Sequence, residues 1–400
     1  MEKFFLVTKS LMNIHKLRSA RVVRNRRFFT FFLMGVSLCL TFSSCAKKTD
    51  DIPIGIYASL TGNTATFGRS MNNGAQMAFS EVNQTGGLLG KRVRLIVEDD
   101  QSKPEEAKTA VIKLIKRERV IAVLGEVASS RSLAAAPECQ RAGVPMVTPA
   151  STNPKVTEIG DYIFRVCFID PFQGEVMAKF AYENLKVRKV AIFKDIKNDY
   201  SVGLAEFFEK TFKSLGGEIV ANESYSEGDI EFRAQLTSLK AENPEAIFIP
   251  GYYTEVGLIA RQARELGFKG DLLGTDGWDS ERTLEIGGKA IEGTYYSNHY
   301  ASDDPNPMIQ DFIARFKSKY HETPDAMAVL GYDAALVLAD AIRRAGSLEG
   351  SKIRDELAKT QNFKGVSGTI SIDESRNARK AAVVLKIENG KVKFFQRVEP

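Results

Sequence analysis

The sequence predicts an α/β protein made of two doubly wound parallel-sheet lobes joined by a multi-strand hinge. Three observations lead there. From Ile52 to about residue 298, apolar runs of strand length alternate with amphipathic runs of helix length, the pattern of parallel strands covered on both faces. The alternation runs once near 52–165 and restarts near 171–298, which makes two lobes rather than one. Beyond residue 300 the order changes to helices and then strands, belonging to neither run, so this segment is shared between the lobes. The expected division is residues 52–170 plus 299–372 for lobe 1 and 171–298 plus 373–400 for lobe 2.

Each element has its own reason. "IPIGIYASL" is a strand. "SMNNGAQMAFSEVNQTGG" is a helix, with Met71, Ala75, Ala78, Phe79 and Val82 at helical spacing and a glycine pair to stop it. "RVRLIVED" places Val93, Leu95 and Val97 on one face of a strand. "KPEEAKTAVIKLIKRE" opens with Pro104 in the first turn and buries Ala107, Val111, Leu114 and Ile115. "VIAVLG" is an apolar strand, "SSRSLAAAPECQRAG" a helix interrupted by Pro137, "VPMVTPA" a strand, and "YIFRVCF" extended. In the second run, "PFQGEVMAKFAYENL", "SVGLAEFFEKTFKSLGG", "DIEFRAQLTSLKAEN" and "TEVGLIARQARELGF" are helices. Between and after them lie the strands "KVAIFKD", "EIVANESY", "AIFIPG" and "DLLGTDG". "NPMIQDFIARFKSKY", "AMAVLGYDAALVLADAIRRAG" and "SKIRDELAKT" are three further helices. The strand-rich end turns at "ENGK", a hairpin signal.

Composition narrows the class. The 400 residues are 44% hydrophobic and 26% charged, ordinary for a globular chain. The net charge of +5 is unevenly placed: residues 1–44 carry eight Lys/Arg against Glu2, so the rest is at −2. The body therefore makes no electrostatic case for nucleic acid. After the basic run, Phe28 to Phe42 are uncharged and apolar; fifteen residues suit a signal-peptide core better than a membrane span. "SSCAKKTDD" follows and resembles the lipobox of bacterial lipoproteins, with Phe42 where leucine is usual. That resemblance implies a signal peptide over 1–44, lipidation of Cys45, a linker over 45–51 and an extracytoplasmic, membrane-anchored protein. Cys139 and Cys167 sit in apolar segments, either paired or as buried free thiols. His15, His299 and His321 are scattered, without metal-ligand spacing, and neither metal nor cofactor is expected.

Ligands of open parallel sheets bind beyond the carboxyl ends of the strands. In the first run those ends carry "GEVASSRS" and "TPASTNP"; in the second, "KDIKNDYSVG", "GYYTEVG" and "GTDGWDS". Ser129 and Ser130 stand where a helix begins. Capping explains such serines, and the same geometry binds an anion. The loop Ala150–Thr152 faces them with hydroxyls and amides but no lysine, which suits a carboxylate better than a phosphate. The second run supplies an acid, Asp276, and the aromatic residues Tyr200, Tyr252, Tyr253 and Trp278. Asp276–Gly277 is read either as a plain turn or as part of a site. An anion pocket facing an acid and aromatic rings is the negative image of a zwitterion.

Several phrases in fixed order carry a resemblance: "GIYASLTGNTATFG", "GAQMAFSEVNQTGGLLGKRVRLIVEDD", "AVLGEVASS", "GVPMVTPASTNP", "GYYTEVGLIARQARELGF" and "LLGTDGWDS". The chain resembles the leucine/isoleucine/valine-binding proteins, the type I periplasmic solute-binding proteins of branched-chain amino acid ABC transporters. The resemblance implies the type I periplasmic-binding-protein fold and capture of an amino acid by clamshell closure, for delivery to the permease subunits of an ABC transporter. By position it implies carboxylate contacts at Ser129, Ala150 and Thr152, and ammonium contacts at the Ala150 carbonyl, Thr152 and Asp276. Tyr200 and Tyr252 match aromatic residues that close over the ligand, Gly277 a backbone position in the cleft, and Trp278 lies beside it. Four positions depart from the family pattern. Phe67 stands where a phenol is frequent, Asp276 where glutamate is common, and Ser102 with Ala128 where some members have a disulfide. An alternative of the same fold is a ligand sensor for an amide, urea or aromatic acid. An enzyme has less support, because no GxGxxG follows a strand, no Walker loop exists, and no nucleophile–base pair has supporting context.

Overall fold

A computed structural model describes residues 50–400, so the signal-peptide reading of 1–44 and the lipid-bearing Cys45 lie outside the described residues. The first sheet contains β1 (Ile52–Ala58), β2 (Val93–Asp99), β3 (Ala122–Leu124), β4 (Met146–Thr148) and β5 (Ile163–Arg165). Its order is β2-β1-β3-β4-β5, with every neighbouring pair parallel. β1 is almost wholly buried because helices cover both faces, which is why it reads as a continuous apolar run.

The second sheet repeats this order. β6 (Lys189–Asp195), β7 (Glu218–Tyr225), β8 (Ala246–Phe248), β9 (Asp271–Gly274) and β10 (Tyr295–Asn298) run β7-β6-β8-β9-β10, all parallel. The chain returns much later to extend this sheet beyond β10 with β14 (Ala382–Glu388) and β15 (Lys391–Val398), each antiparallel to the strand it pairs with on its inner side. Their connection is the turn read from "ENGK". Asn389 and Gly390 both have left-handed φ values, 55° and 68°, as a type I′ turn requires. The Glu292 carboxylate accepts from both of their amides. The remaining strands, β11 (Phe363–Gly365), β12 (Gly368–Ile372) and β13 (Ala378–Arg379), form a small antiparallel sheet.

Helices Pro307–Tyr320, Ala326–Ala345 and Gly350–Ala358 fill the gap between β10 and β11. Ala326–Ala345 is capped by Asp325, which accepts from the Ala328 amide, and ends at left-handed Gly346. It packs against helix Ala65–Gln84 backbone to backbone. A Cβ on Gly74 would lie 1.9 Å from the Ala328 carbonyl oxygen, and one on Gly331 would lie 2.3 Å from that of Met71. Only glycine fits at this crossing.

Two expectations are corrected. Pro137 does not interrupt its helix, which runs unbroken from Ser129 to Ala142; the ring is accommodated at the loss of one backbone hydrogen bond. The helix read from Ser70 begins five residues earlier, at Ala65. Cys139 and Cys167 are buried free thiols.

The chain passes between the two large sheets at residues 166–169, 299–306 and 380–381. One apolar core lies on the outer side of the first sheet, around Tyr57, Val111, Val123 and Ile163. A second belongs to the second sheet, around Phe193, Phe232, Ile259 and Trp278. A third is continuous between the sheets and includes Phe67, Val147, Phe168, Tyr200 and Tyr252. The carboxyl ends of β3 and β4 thus face those of β6, β8 and β9 across a closed seam.

Candidate functional site

On the first-sheet side the site is built on the start of helix Ser129–Ala142. Its N-cap residue is Ala128, which offers no side-chain acceptor, so the first-turn amides are left without the usual cap. Just before it, Glu126 is buried and fully satisfied. One oxygen accepts from the Ser59 amide and hydroxyl, the other from the Ala128 amide and from Arg131 Nε at 2.9 Å. That ion pair is internally neutral and leaves the helix start as the electropositive feature.

The loop after β4 is held from both sides. Thr148 Oγ1 and Ser151 Oγ both donate to the Glu126 carbonyl, at 2.6 and 2.8 Å. Arg165 of β5, wholly buried, donates to the carbonyls of Ser151 and Asn153. Asn153 N donates to Ser129 Oγ at 3.2 Å, joining the loop to the helix start. Of the loop's hydroxyls, Thr148 and Ser151 are therefore structural. Thr152 is different: its side chain is wholly buried and Oγ1 has no hydrogen-bond partner. Ala150, also buried, precedes it.

On the second-sheet side, Tyr200 lies at the start of helix Asp199–Ser214, where Asn198 caps by accepting from the Tyr200 amide. Its phenol reaches the loop after β9, 2.5 Å from Thr275 Oγ1 and 2.7 Å from Asp276 Oδ1. It also accepts from Gly277 N at 3.1 Å. Burial, with the Asp276 charge next, holds the Tyr200 phenol in its neutral form. Tyr252 stacks on Tyr200 with ring centroids 5.3 Å apart and planes 16° from parallel. Phe67 meets Tyr252 edge-on from the first lobe at 5.6 Å. Gly277 has no room for a side chain: a Cβ would come within 2.6 Å of the Gly251 carbonyl oxygen and 2.9 Å of the Tyr252 ring.

Asp276 is 3% exposed and heavily partnered. Oδ1 accepts from Gln173 Nε2 at 2.8 Å as well as from Tyr200, and Oδ2 lies 3.1 Å from His299 Nε2. Trp278 is placed apart from this group. Its Nε1 donates to the Ile249 carbonyl, and its ring packs in the second-sheet core near Tyr296.

Sequence reasoning missed Asp170, Gln173 and His299. Asp170 opens helix Asp170–Lys179 just past the end of β5, and its amide donates to the Thr152 carbonyl. It is wholly buried and both carboxyl oxygens lack a hydrogen-bond partner. Burial pushes its carboxyl up to about 8; the Thr152 hydroxyl, nearby but not in bonding geometry, and Arg165 oppose this, and the Asp276 charge adds to it. The strand-end rule that selects the other loops also selects "FIDPFQ". His299 has no metal-ligand spacing in the sequence, and only the fold brings it to Asp276.

The seam is sealed by bonds between the lobes. Asn153 Nδ2 donates to the Asp199 carbonyl at 2.8 Å, and the Asp199 amide donates to Ser130 Oγ at 2.9 Å. Thr254 Oγ1 bonds the Asn63 carbonyl, and Thr66 N bonds the Tyr253 phenol. Another concavity, about 920 Å³, lies between helix Ala65–Gln84 and β2 and is lined by Gln76, Asn83, Arg92 and Arg94. None of its lining residues carries a buried unpartnered group, whereas Thr152, Asp170 and Gln173 all do.

Comparison with known proteins shows the family. The family model for periplasmic binding proteins matches residues 51–391. A Leu/Ile/Val-binding protein homolog of Brucella melitensis is 31% identical over 364 residues, 90% of this chain and 98% of that protein. The crystal structure of a leucine binding protein from Thermotoga maritima superimposes with a TM-score of 0.84 at 46% identity, covering 87% of this chain and 99% of its own. That of a branched-chain amino acid transporter substrate binding protein from Streptococcus pneumoniae, in complex with isoleucine, gives 0.83 at 34% identity, covering 88% and 100%. The chain belongs to the periplasmic binding protein family, among the Leu/Ile/Val-binding proteins.

Proposed function

We propose that this protein is the extracytoplasmic solute-binding component of an ABC transporter. It captures a branched-chain or other apolar amino acid between its lobes and hands it to membrane permease subunits. The lobes are residues 52–170 plus 299–372 and residues 171–298 plus 373–400, with the stretch before the third crossing, 373–379, held to the first by the β12–β13 pairing. Ser129, Ala150 and Thr152 receive the α-carboxylate. Thr152, Asp276 and Asp170 receive the ammonium. Tyr200 and Tyr252 close over the ligand, with Gly277 beside them, and Trp278 supports that segment from behind. Isoleucine bound in the pneumococcal relative supports the ligand class.

One observation carries the reading. Two buried carboxyls, Asp170 and Asp276, are near enough for the Asp276 charge to raise Asp170, and the Asp170 amide bonds the carbonyl of Thr152, whose hydroxyl is unpartnered and whose loop is tied by Asn153 to the uncapped helix start at Ser129. Burying two like charges is costly, and a cation placed between them relieves it. A ligand with one positive and one negative group on adjacent atoms satisfies both sides. Isothermal calorimetry with L-leucine, L-isoleucine and L-valine, against N-acetyl-leucine and leucinamide, tests it. The free amino acids should bind and the two blocked forms should not. Equal binding of N-acetyl-leucine would refute the ammonium assignment.

Lipidation of Cys45 places the protein at the membrane surface through several acyl chains. Cys45→Ala should move it from the membrane fraction to the soluble fraction. An intact mature protein with an unmodified Cys45 would end that part of the proposal.

A further inference from the structure

The acid assigned to the ammonium is held by side chains from three separate stretches of chain. Gln173 comes from the helix that follows the first crossing between the sheets, Tyr200 from the helix after β6, and His299 is the first residue of the second crossing. A carboxylate has about four acceptor positions. Gln173 and Tyr200 occupy two on Oδ1 and His299 one on Oδ2, which leaves a single direction for a further donor. Gln173 Nε2 is itself fixed by a second bond, 2.9 Å to Ser297 Oγ.

His299 is also where the crossings meet. Its ring stacks on Phe168 of the first crossing, with centroids 3.8 Å apart and planes 23° from parallel. Lys380 of the third crossing is close enough to disfavour a positive charge on the ring. Burial, opposed by Asp276, lowers His299 to about 4, so the imidazole is neutral, and with its proton on Nε2, the tautomer that suits a carboxylate at 3.1 Å, it donates to Asp276.

We propose that His299 and Gln173 are positioning residues: they aim the Asp276 carboxylate at the ligand's ammonium and tie it to the hinge. The proposal rests on the amino-acid reading above. A carboxylate locked in advance avoids ordering costs on binding. Because the ring is wedged on Phe168, a load on Asp276 is also felt where the lobes rotate. Neither residue touches the ligand in this scheme; both act through Asp276.

A double-mutant cycle separates this from a merely structural role. Leucine affinity is measured by calorimetry, with thermal melts alongside, for wild type, His299→Leu, His299→Gln, Asp276→Asn and the His299→Leu/Asp276→Asn pair. His299→Leu should weaken leucine binding about ten- to hundredfold, and His299→Gln, which keeps an N–H donor, by less than about fivefold. In the Asp276→Asn background, His299→Leu should add less than about threefold. Gln173→Leu in the same cycle should behave alike and decides the matter if His299→Leu fails to fold. Losses that multiply in full across the cycle would overturn the positioning role while leaving the amino-acid reading intact. Failure of wild type to bind leucine or any other α-amino acid would instead bring down the reading, and the positioning role with it.

Discussion

The two lobes share one strand order, 2-1-3-4-5, yet their strand ends carry opposite chemistry. In the first sheet the rim acids are met by the protein itself: Glu126 pairs with Arg131 and accepts from two amides, and Asp100 beside it accepts from the Ser59 hydroxyl and the Ser102 amide, next to a helix start and the unpartnered Thr152 hydroxyl. In the second, the rim acid Asp276 has only neutral partners, two of them donors held by burial in uncharged form. The carboxyl of Asp170, at the junction, has no hydrogen-bond partner. Equal topology gives the scaffold; under the proposed function, whether an acid is paired by a cation of the protein decides which ligand group each rim accepts. An unpaired buried carboxylate is costly until a ligand supplies the charge.

The strongest way to break this contrast is to remove the unpaired acid. Asp276→Ala should weaken amino-acid binding by about two to four decades, from the ~3–5 kcal/mol cost of stranding a buried charge. It should also lower the melting temperature, because Gln173, Tyr200 and His299 each lose an acceptor. Asp276→Asn keeps one acceptor and should cost less in both measures. Calorimetry showing unchanged affinity for either variant would reduce Asp276 to a turn residue.

On the opposite rim, Thr152→Val removes the unpartnered hydroxyl while preserving shape. Affinity should fall by about one to two decades, the worth of a hydrogen bond to a charged group. Thermal stability should hold or rise, since no internal bond is lost. The reverse pattern, lower stability with intact affinity, would show that Thr152 serves the fold.

Asp170 links the contrast to pH. Its folded value, about 8, lies above the ordinary carboxylate range, so the folded protein holds an extra proton between about pH 4 and 8. The stability this gives is fully present below pH 4 and is lost as pH rises through 8. A ligand cation favours the ionised form. Binding near pH 7 should therefore release a fraction of a proton, and affinity should rise toward pH 8. Calorimetry in buffers of different ionisation enthalpy measures the release, and Asp170→Asn should abolish it. His299, lowered to about 4, acts in the other direction on stability: over roughly pH 4–6.5 the unfolded chain binds more protons, so stability rises with pH there.

The smallest effect belongs to the latch at the outer edge. Ser130→Ala removes the acceptor for the Asp199 amide, at an exposed site between the lobes. Affinity should drop by less than about tenfold, consistent with ~0.5–1.5 kcal/mol for one such bond. A loss as large as that of Thr152→Val would mean that lobe closure, not the charged rims, dominates affinity.

Periodicity alone determined much of this protein. The buried strands, the helices that cover them, the doubled α/β pattern and the turn at Asn389–Gly390 were legible because burial on two faces, amphipathic spacing and turn chemistry are local properties of the chain. Ser129, Ala150, Thr152, Tyr200, Tyr252 and Asp276 were reachable because each lies within four residues of a strand's carboxyl end or at the start of a helix. The division of the hydroxyls was not legible. Thr148, Ser151 and Thr152 read alike, and only the carbonyl of Glu126, twenty-two to twenty-five residues away, separates the two structural ones from the free one. The same holds for Trp278, a neighbour of Gly277 in sequence whose indole turns into the core to reach the Ile249 carbonyl. It holds most of all for His299, Gln173 and Asp170. Their meeting with Asp276 depends on chain crossings separated by more than a hundred residues between Gln173 and Asp276. Spacing within the chain fixes which side chains share a face, but a buried charge is defined by everything packed around it, and that exists only once the two lobes meet.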